Sequence, residues 1–273
     1  MIRDITLGQF YPGNSWIHRL DPRVKIMVTL LYIVSIFVVK DFIGFALAAL
    51  GLAVVIAISR VPLKFILRGL KPIFILIAFT FIINMFMIKG EVLVSFWIFS
   101  ISREGLRMAV FMAIRLILLI IGSSLMTFTT TPNELTDGIE ELLGPLNKIH
   151  VPVHEIAMIM SIALRFIPIL LEETDKIMKA QIARGADLES GNMIQKAKSM
   201  IPILVPLFVS AFRRANDLAM AMEARCYRGG EGRTKMKPLK YHKEDRIAYI
   251  TVIAYVILVV VIGRCVPVHI WVF

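Results

Sequence analysis

Phe42-Ile43-Gly44-Phe45-Ala46-Leu47-Ala48-Ala49-Leu50-Gly51-Leu52-Ala53-Val54-Val55-Ile56-Ala57-Ile58 runs for seventeen residues without one charged side chain. As a helix it extends about 26 Å, close to the roughly 30 Å hydrocarbon core of a bilayer. Residues 24–39 are apolar apart from Lys25 at their start, and only Lys40 and Asp41 separate the two runs, which predicts a tight helical hairpin. Three more apolar segments of spanning length follow at 72–88, 105–128 and 247–263. The first of these starts at Pro72, a residue suited to a first helical turn. The stretch 92–101, Val-Leu-Val-Ser-Phe-Trp-Ile-Phe-Ser-Ile, is apolar but too short to cross, so it is expected to lie at the interface or re-enter. The fold class is therefore all-α, a polytopic membrane helix bundle. Four spans fall in 1–130, a basic module occupies 131–246, and the last span lies in 247–273.

Composition agrees. The chain of 273 residues is 58% hydrophobic with a mean hydropathy of +0.76, where soluble domains sit near half. The net charge of +11 would suit nucleic acid in a soluble protein. Between apolar spans it suits the loops that orient a membrane protein, and no nucleic-acid partner is expected. The first 23 residues lack an apolar core, so no cleavable signal is read there and the first span directs insertion. The two cysteines, Cys226 and Cys265, stand in no metal or redox spacing and read as unpaired thiols.

Counting basic residues predicts sidedness. Arg3, Arg19, Arg23 and Lys25 precede the first span, and Arg60, Lys64, Arg68 and Lys71 follow the second. The alternate loops hold only Lys40, and Lys89 with Arg103. The N-terminus is thus expected in the cytoplasm of a multi-pass plasma-membrane protein. Residues 131–246, with seventeen of the 31 Lys and Arg, fall on the same side, and five spans leave the C-terminus outside.

Three helices are predicted within 131–246. One opens at Thr131-Pro132-Asn133-Glu134 and ends near Gly144-Pro145; the others run from Pro152 to Arg184 and from Asn192 to about Arg225. The two long ones share a plan: an apolar start broken by proline (Pro168; Pro202 and Pro206), a charged second half, and an Ala-Arg-X end. Their apolar parts, 156–171 and 201–212, either cross the membrane or lie along it; the prolines and Arg165 favour the second reading.

Several chemistries are excluded by residue pattern. The stretch Arg228 to Lys235 carries Gly229, Gly230 and Gly232, but Tyr227 stands where a phosphate loop needs its first glycine and Arg233 replaces the lysine. His150 and His154 are four apart with Pro152 between them and no third ligand, so no metal site is read. Glu172, Glu173 and Asp175 precede Lys176 and Lys179 at helical spacing, a solvated face with local ion pairs. No cofactor and no catalytic group is expected, and the chain reads as a non-enzyme. Arg115, deep in the fourth span, has no acidic partner in any span and reads as an anchor bonded to helix carbonyls or hydroxyls.

The two helix ends carry the strongest signal. Arg184 follows Ala183 and, one turn back, Ala180; Arg225 follows Ala224 and Ala221. Small neighbours let another surface approach, and guanidinium offers a planar fork of donors. Cations also favour helix C-termini without any partner, but the arrangement occurs twice. In these residues the chain resembles the transmembrane T-component of energy-coupling factor (ECF) transporters, the cobalt-transport permease Q-type family. Four stretches carry the likeness: Ser15-Trp16-Ile17-His18-Arg19-Leu20-Asp21-Pro22-Arg23-Val24-Lys25, Thr129-Thr130-Thr131-Pro132-Asn133-Glu134-Leu135, Leu164-Arg165-Phe166-Ile167-Pro168, and the pair Ala183-Arg184-Gly185 and Ala224-Arg225-Cys226. Cys226 departs from the glycine common there, which loosens the expected helix stop.

The resemblance implies a transmembrane scaffold in an ATP-driven importer of vitamins or metal ions, with 131–246 supplying long cytoplasmic coupling helices. Its implied partners are two ABC-type ATPases, which supply the ATP hydrolysis, and one small membrane S-component that captures substrate. Ala183, Arg184, Gly185, Ala224, Arg225 and Cys226 would dock the ATPases. Ile159, Ile162, Leu164, Leu204 and Leu207 would contact the S-component. The residues themselves leave a self-sufficient secondary carrier or channel as the alternative, although the lack of an intramembrane carboxylate weighs against a proton-coupled one.

Overall fold

The computed structural model describes residues 10–39, 41–88, 90–96, 99–186, 192–230, 236 and 238–265. Most of the glycine-containing loop weighed above as a phosphate loop, and the C-terminal residues 266–273, lie outside the described residues. The element order is α1 (Trp16–Arg19), α2 (Pro22–Val38), α3 (Phe42–Ser59), α4 (Leu63–Leu70), a 3-10 turn (Lys71–Ile73), α5 (Phe74–Met87), β1 (Val92–Phe96) and β2 (Phe99–Ser102). Then come α6 (Arg103–Thr129), α7 (Pro132–Leu143), a 3-10 turn (Gly144–Ile149), α8 (Val153–Ala183), α9 (Met193–Ala224) and α10 (Lys243–Cys265). The chain divides into two compact units: a bundle drawn from 8–138 and 239–273, and an arm unit from 139–238.

Three details sharpen the sequence reading. The described residues of 92–102 form a hairpin: β1 and β2 pair antiparallel, with Phe96 opposite Phe99 and Val92 opposite Ser102. Alternating Val, Ile and Phe suit a pleated ribbon better than a one-turn helix. The segment 72–88 yields a helix of only 14 residues, α5, about 21 Å long. Pro72, having no amide hydrogen, sits in a 3-10 turn between α4 and α5, and this bent pair together is long and apolar enough to form one broken span or a re-entrant loop. The two long arms agree with the reading: α8 runs 31 residues and α9 runs 32, straight through Pro168, Pro202 and Pro206. By length and composition both arms are long and apolar enough to cross a membrane, as are α3, α6 and α10.

In the bundle, α6 is central and packs against α2, α3, α4 and α5. Phe45 and Phe111 meet edge to face at 4.6 Å between centroids, inside a core that includes Ile36, Ala48, Leu118, Leu125, Phe128 and Val259. Gly122 lets α6 close on α2, since a Cβ there would run into the Tyr32 ring. No residue of α5 is buried, and Phe74, Ile75, Phe79 and Met87 are exposed, a surface fit for hydrocarbon rather than water. Arg115 is the anchor the sequence suggested: its Nη2 donates to the Val39 carbonyl at the end of α2, 3.0 Å away, with Phe45 and Phe111 rings about it.

The first two motifs meet in one polar junction that ties together the ends of three helices. Asp21 caps α2 by accepting from the Arg23 amide at 2.9 Å, and its carboxylate pairs with the Arg23 guanidinium at 2.8 Å. Lys25, buried, donates to the His18 carbonyl and, at 2.8 Å, to the Thr129 carbonyl at the end of α6. Asp245, also buried, accepts from the Asp21 amide at 2.9 Å and from the His242 amide at 2.7 Å, fixing the start of α10. His18 Nε2 donates to the Tyr11 carbonyl while Nδ1 accepts from Ser15 Oγ. Burial lowers the His18 pKa, opposed in part by that carbonyl, so the ring is neutral near pH 7. Thr131 and Glu134 exchange bonds as a capping box and launch α7.

Candidate docking sites at two helix ends

Within the arm unit α8 and α9 run antiparallel. Glu173 accepts from Arg214 at 3.4 Å, and Gln181, further along α8, donates to the Pro202 carbonyl, further back on α9, at 3.2 Å. The second bond has a specific cause. Pro206 has no amide hydrogen, so the carbonyl four residues earlier, that of Pro202, has no intrahelical donor. The Gln181 amide fills the gap from the neighbouring helix. Because the pair is antiparallel, Arg184 and Arg225 stand at its opposite ends.

Both arginines are C-cap residues of the same motif. Gly185 N–H donates to Ile182 and Ala186 N–H to Gln181; Cys226 N–H donates to Glu223 and Tyr227 N–H to Met222. These are the paired 5→2 and 6→1 bonds of a Schellman stop, with the residue after the cap left-handed. Gly185 has φ +87° and Cys226 has φ +55°. The concern that Cys226 loosens the helix stop is thus corrected: the stop forms, and the cysteine carries a left-handed backbone that costs about 1–2 kcal/mol in a residue with a Cβ. In both copies the small alanine before the arginine, the arginine and the residue after it are exposed, leaving each guanidinium free to meet another surface.

The two ends are braced differently. After Arg225 the chain turns again at Gly229, φ +92°, and lays Gly230 against the ring of His154; a Cβ on Gly230 would stand 2.5 Å from His154 Cδ2. His154 Nδ1 is 2.8 Å from Glu140 Oε1. His154, weighed in the sequence only as a metal ligand, is therefore a strut from the first turn of α8 to both α7 and the loop after α9. His150 is elsewhere, closing the 3-10 turn with φ +62°. Among the described residues no cluster of three or more metal-ligating side chains occurs. The glycine pair after α9 was the only signal in the sequence for this contact.

Of the predicted apolar contact residues, Ile159 and Leu204 are exposed, while Ile162, Leu164 and Leu207 are half-buried. Within the apolar part 201–212 the structure resolves a longer stripe on α9. Ile201, Val205, Phe208 and Phe212 recur at spacings of four, three and four, and all are exposed, Phe208 at 61% and Phe212 at 68%. Ile156 and Met160 flank Ile159 on α8 and are exposed as well.

Apolar bundle, apolar arms and two capped helix ends define a multi-pass helical membrane protein. Comparison with known proteins refines the class. The family model described as cobalt transport protein, CbiQ, matches residues 13–236. The energy-coupling factor transporter transmembrane protein EcfT of Clostridium kluyveri is 62% identical over 250 residues, 91% of this chain and 93% of that protein. Proteins of the same name from Acidaminococcus fermentans and Bacillus subtilis are 51% identical over 267 residues and 46% over 254, covering 98% and 93% of this chain and 100% and 96% of their own lengths. The chain belongs to this family, the EcfT T-components of ECF transporters, and is a transporter membrane subunit that works in a complex with other subunits.

Proposed function

We propose that this T-component couples two ABC-type ATPases to one small S-component during ATP-driven uptake of a vitamin or metal ion. The observation that carries the reading is the duplicated helix end: two exposed C-cap arginines in one stop geometry, at opposite ends of a single antiparallel pair. Ala183, Arg184 and Gly185 seat in one ATPase, and Ala224, Arg225 and Cys226 in the other. A helix that ends abruptly at its arginine presents the guanidinium fork beyond the last turn, where a groove lined with carboxylates or carbonyls receives it. Motion of either ATPase is passed along a rigid arm about 46 Å long.

The receiving surface for the S-component is the exposed apolar stripe of α9, Ile201, Val205, Phe208 and Phe212, with Ile159 and Leu204 and their half-buried neighbours Ile162, Leu164 and Leu207. In this reading residues 131–246 lie on the cytoplasmic side with the N-terminus, and the chain ends outside. ATP hydrolysis belongs to the partners, which the departures of Arg228–Lys235 from a phosphate loop support.

The test is copurification and uptake with the S-component and ATPases coexpressed. Phe208→Glu should shed the S-component while retaining the ATPases, and changes at Arg184 and Arg225 should do the reverse. A Phe208→Glu complex with its full S-component would mean the surface is misassigned. Uptake by the chain without any ATPase would favour the rival reading, a self-sufficient carrier.

A further inference from the structure

The bundle holds a cleft of about 460 Å³ lined by Asn14, Ser15, Trp16, Ala57, Ile58 and Arg60. It sits where α3 ends. Arg60 is the C-cap of α3 and holds a left-handed backbone, φ +56°. Its side chain is exposed, and among the described residues it makes no hydrogen bond or ion pair. Lys64, four residues on in the first turn of α4, is exposed and equally unpartnered among the described residues. Arg68 and Lys71 follow, and no acidic residue occurs between 42 and 90. The cleft mouth is therefore cationic with nothing in the neighbouring sequence to offset it.

The apolar side of the cleft continues into the membrane. Ile58 lines it, and Val54 and Leu50 lie one and two turns back along α3; all three are exposed. Residues at i, i+4 and i+8 form one nearly axial stripe on a helix. The stripe runs down a span of the bilayer from directly beneath the cationic mouth. Trp16, half-buried at the mouth, is the residue type that membrane proteins place at the headgroup level.

We propose that this cleft binds one anionic phospholipid. Its phosphate lies against Arg60 and Lys64, its glycerol region lies against Ala57 and Trp16, and an acyl chain follows Ile58, Val54 and Leu50. A soluble phosphate ester would use the cations but leave the stripe unused. A zwitterionic lipid would bring its own cation to a site that already has two. The inference requires that α3 cross the bilayer; it is independent of the ATPase reading.

The test uses the full chain in lipid nanodiscs, with Trp97→Phe and Trp271→Phe leaving Trp16 as the sole tryptophan. Phosphatidylglycerol or phosphatidylcholine, brominated near the glycerol end of its chains, is added at equal mole fraction, and quenching of Trp16 is read. The brominated anionic lipid should quench more strongly. Each cation removed should cut that preference about fivefold. Arg60→Gly is the informative variant, because glycine takes the left-handed backbone without strain and the charge is lost without harm to the fold. Lys64→Gln is its partner. Equal quenching by the two lipids, or a preference that survives in the double variant, would overturn the proposal. So would loss of the preference on adding soluble glycerol phosphate, which would make this a site for free phosphate esters.

Discussion

The C-terminal ends of α8 and α9 have the same stop and different supports. Each places an arginine at the C-cap, a left-handed residue after it and the same two backbone bonds. The end at Arg184 is steadied from α9, through Gln181 and the carbonyl that Pro206 leaves free. The end at Arg225 is steadied from the first turn of α8, where His154 meets Gly230 and also reaches Glu140 of α7. Local backbone geometry thus shapes the docking residue, and distant contacts decide what that residue is rigid against. An arm held by its sister helix moves with that sister. Both ends are held by the sister helix; the Arg225 end has Glu140 of α7 behind that contact as well.

The largest expected effect treats the two ends as equals. Truncating a well-desolvated charged contact costs about 2–5 kcal/mol, at least roughly thirtyfold in affinity. Arg184→Ala or Arg225→Ala alone should impair uptake more than assembly, because the other end still tethers the complex. The double variant should release both ATPases on purification, and lysine at either position should substitute poorly. Wild-type recovery of both ATPases with the double variant would reduce the arginines to helix-end charges and dissolve the comparison.

The next effect separates the ends. Gly230→Ala forces its Cβ into the His154 ring, an overpacking that costs about 1–3 kcal/mol. Placed on Arg184→Ala, where retention hangs on the Arg225 end, it should lower copurified ATPase further. Placed on Arg225→Ala it should add little, and His154→Ala should relieve the clash. Equal losses in both backgrounds would show that the His154 strut serves the pair as a whole.

A smaller effect probes the shared stop. Cys226→Gly removes about 1–2 kcal/mol of left-handed strain, and Gly185→Ala introduces a similar amount. Amide hydrogen exchange should slow at Tyr227 in the first variant and speed at Ala186 in the second, by about fivefold or more each. Movement in the same direction at both ends would mean the two stops are not equivalent. The smallest effect is Gln181→Met, which gives up one interhelical hydrogen bond, about 0.5–1.5 kcal/mol. It should loosen the Arg184 end alone. Pro206→Ala should do the same while restoring the intrahelical bond within α9, and a Gln181→Met change on top of it should then be silent.

Much of this was legible in the sequence, because membrane segments advertise themselves by composition. The seventeen residues of 42–58 admit no reading but a buried or lipid-facing helix. The arginine ends were visible because a small-residue approach followed by a cation is a local pattern that occurs twice. The arms Val153–Ala183 and Met193–Ala224 began and ended within a residue or two of their capping signals at Pro152, Gly185, Asn192 and Arg225. What failed at the sequence level failed for lack of partners. The sequence carried α9 through Pro206 but could not show that Gln181, twenty-five positions away, meets the carbonyl this proline frees. A cysteine after an arginine reads as a weak stop, yet Cys226 turns left-handed because both flanking amides find helix carbonyls.

Sequence alone, then, determined which segments are apolar enough for lipid, where the two long arms cap, and which two arginines stand at helix ends, because these depend on side chains close together along the chain. Tertiary structure alone decided that Lys25, Asp245 and Thr129 meet in one junction, that His154 bears on Gly230, and that Arg60 opens onto a cleft beside Trp16. These pairings join residues from 44 to more than 200 positions apart. No local propensity encodes them; they exist only because burying a polar group in a dry helix bundle is tolerable when another helix supplies its partner.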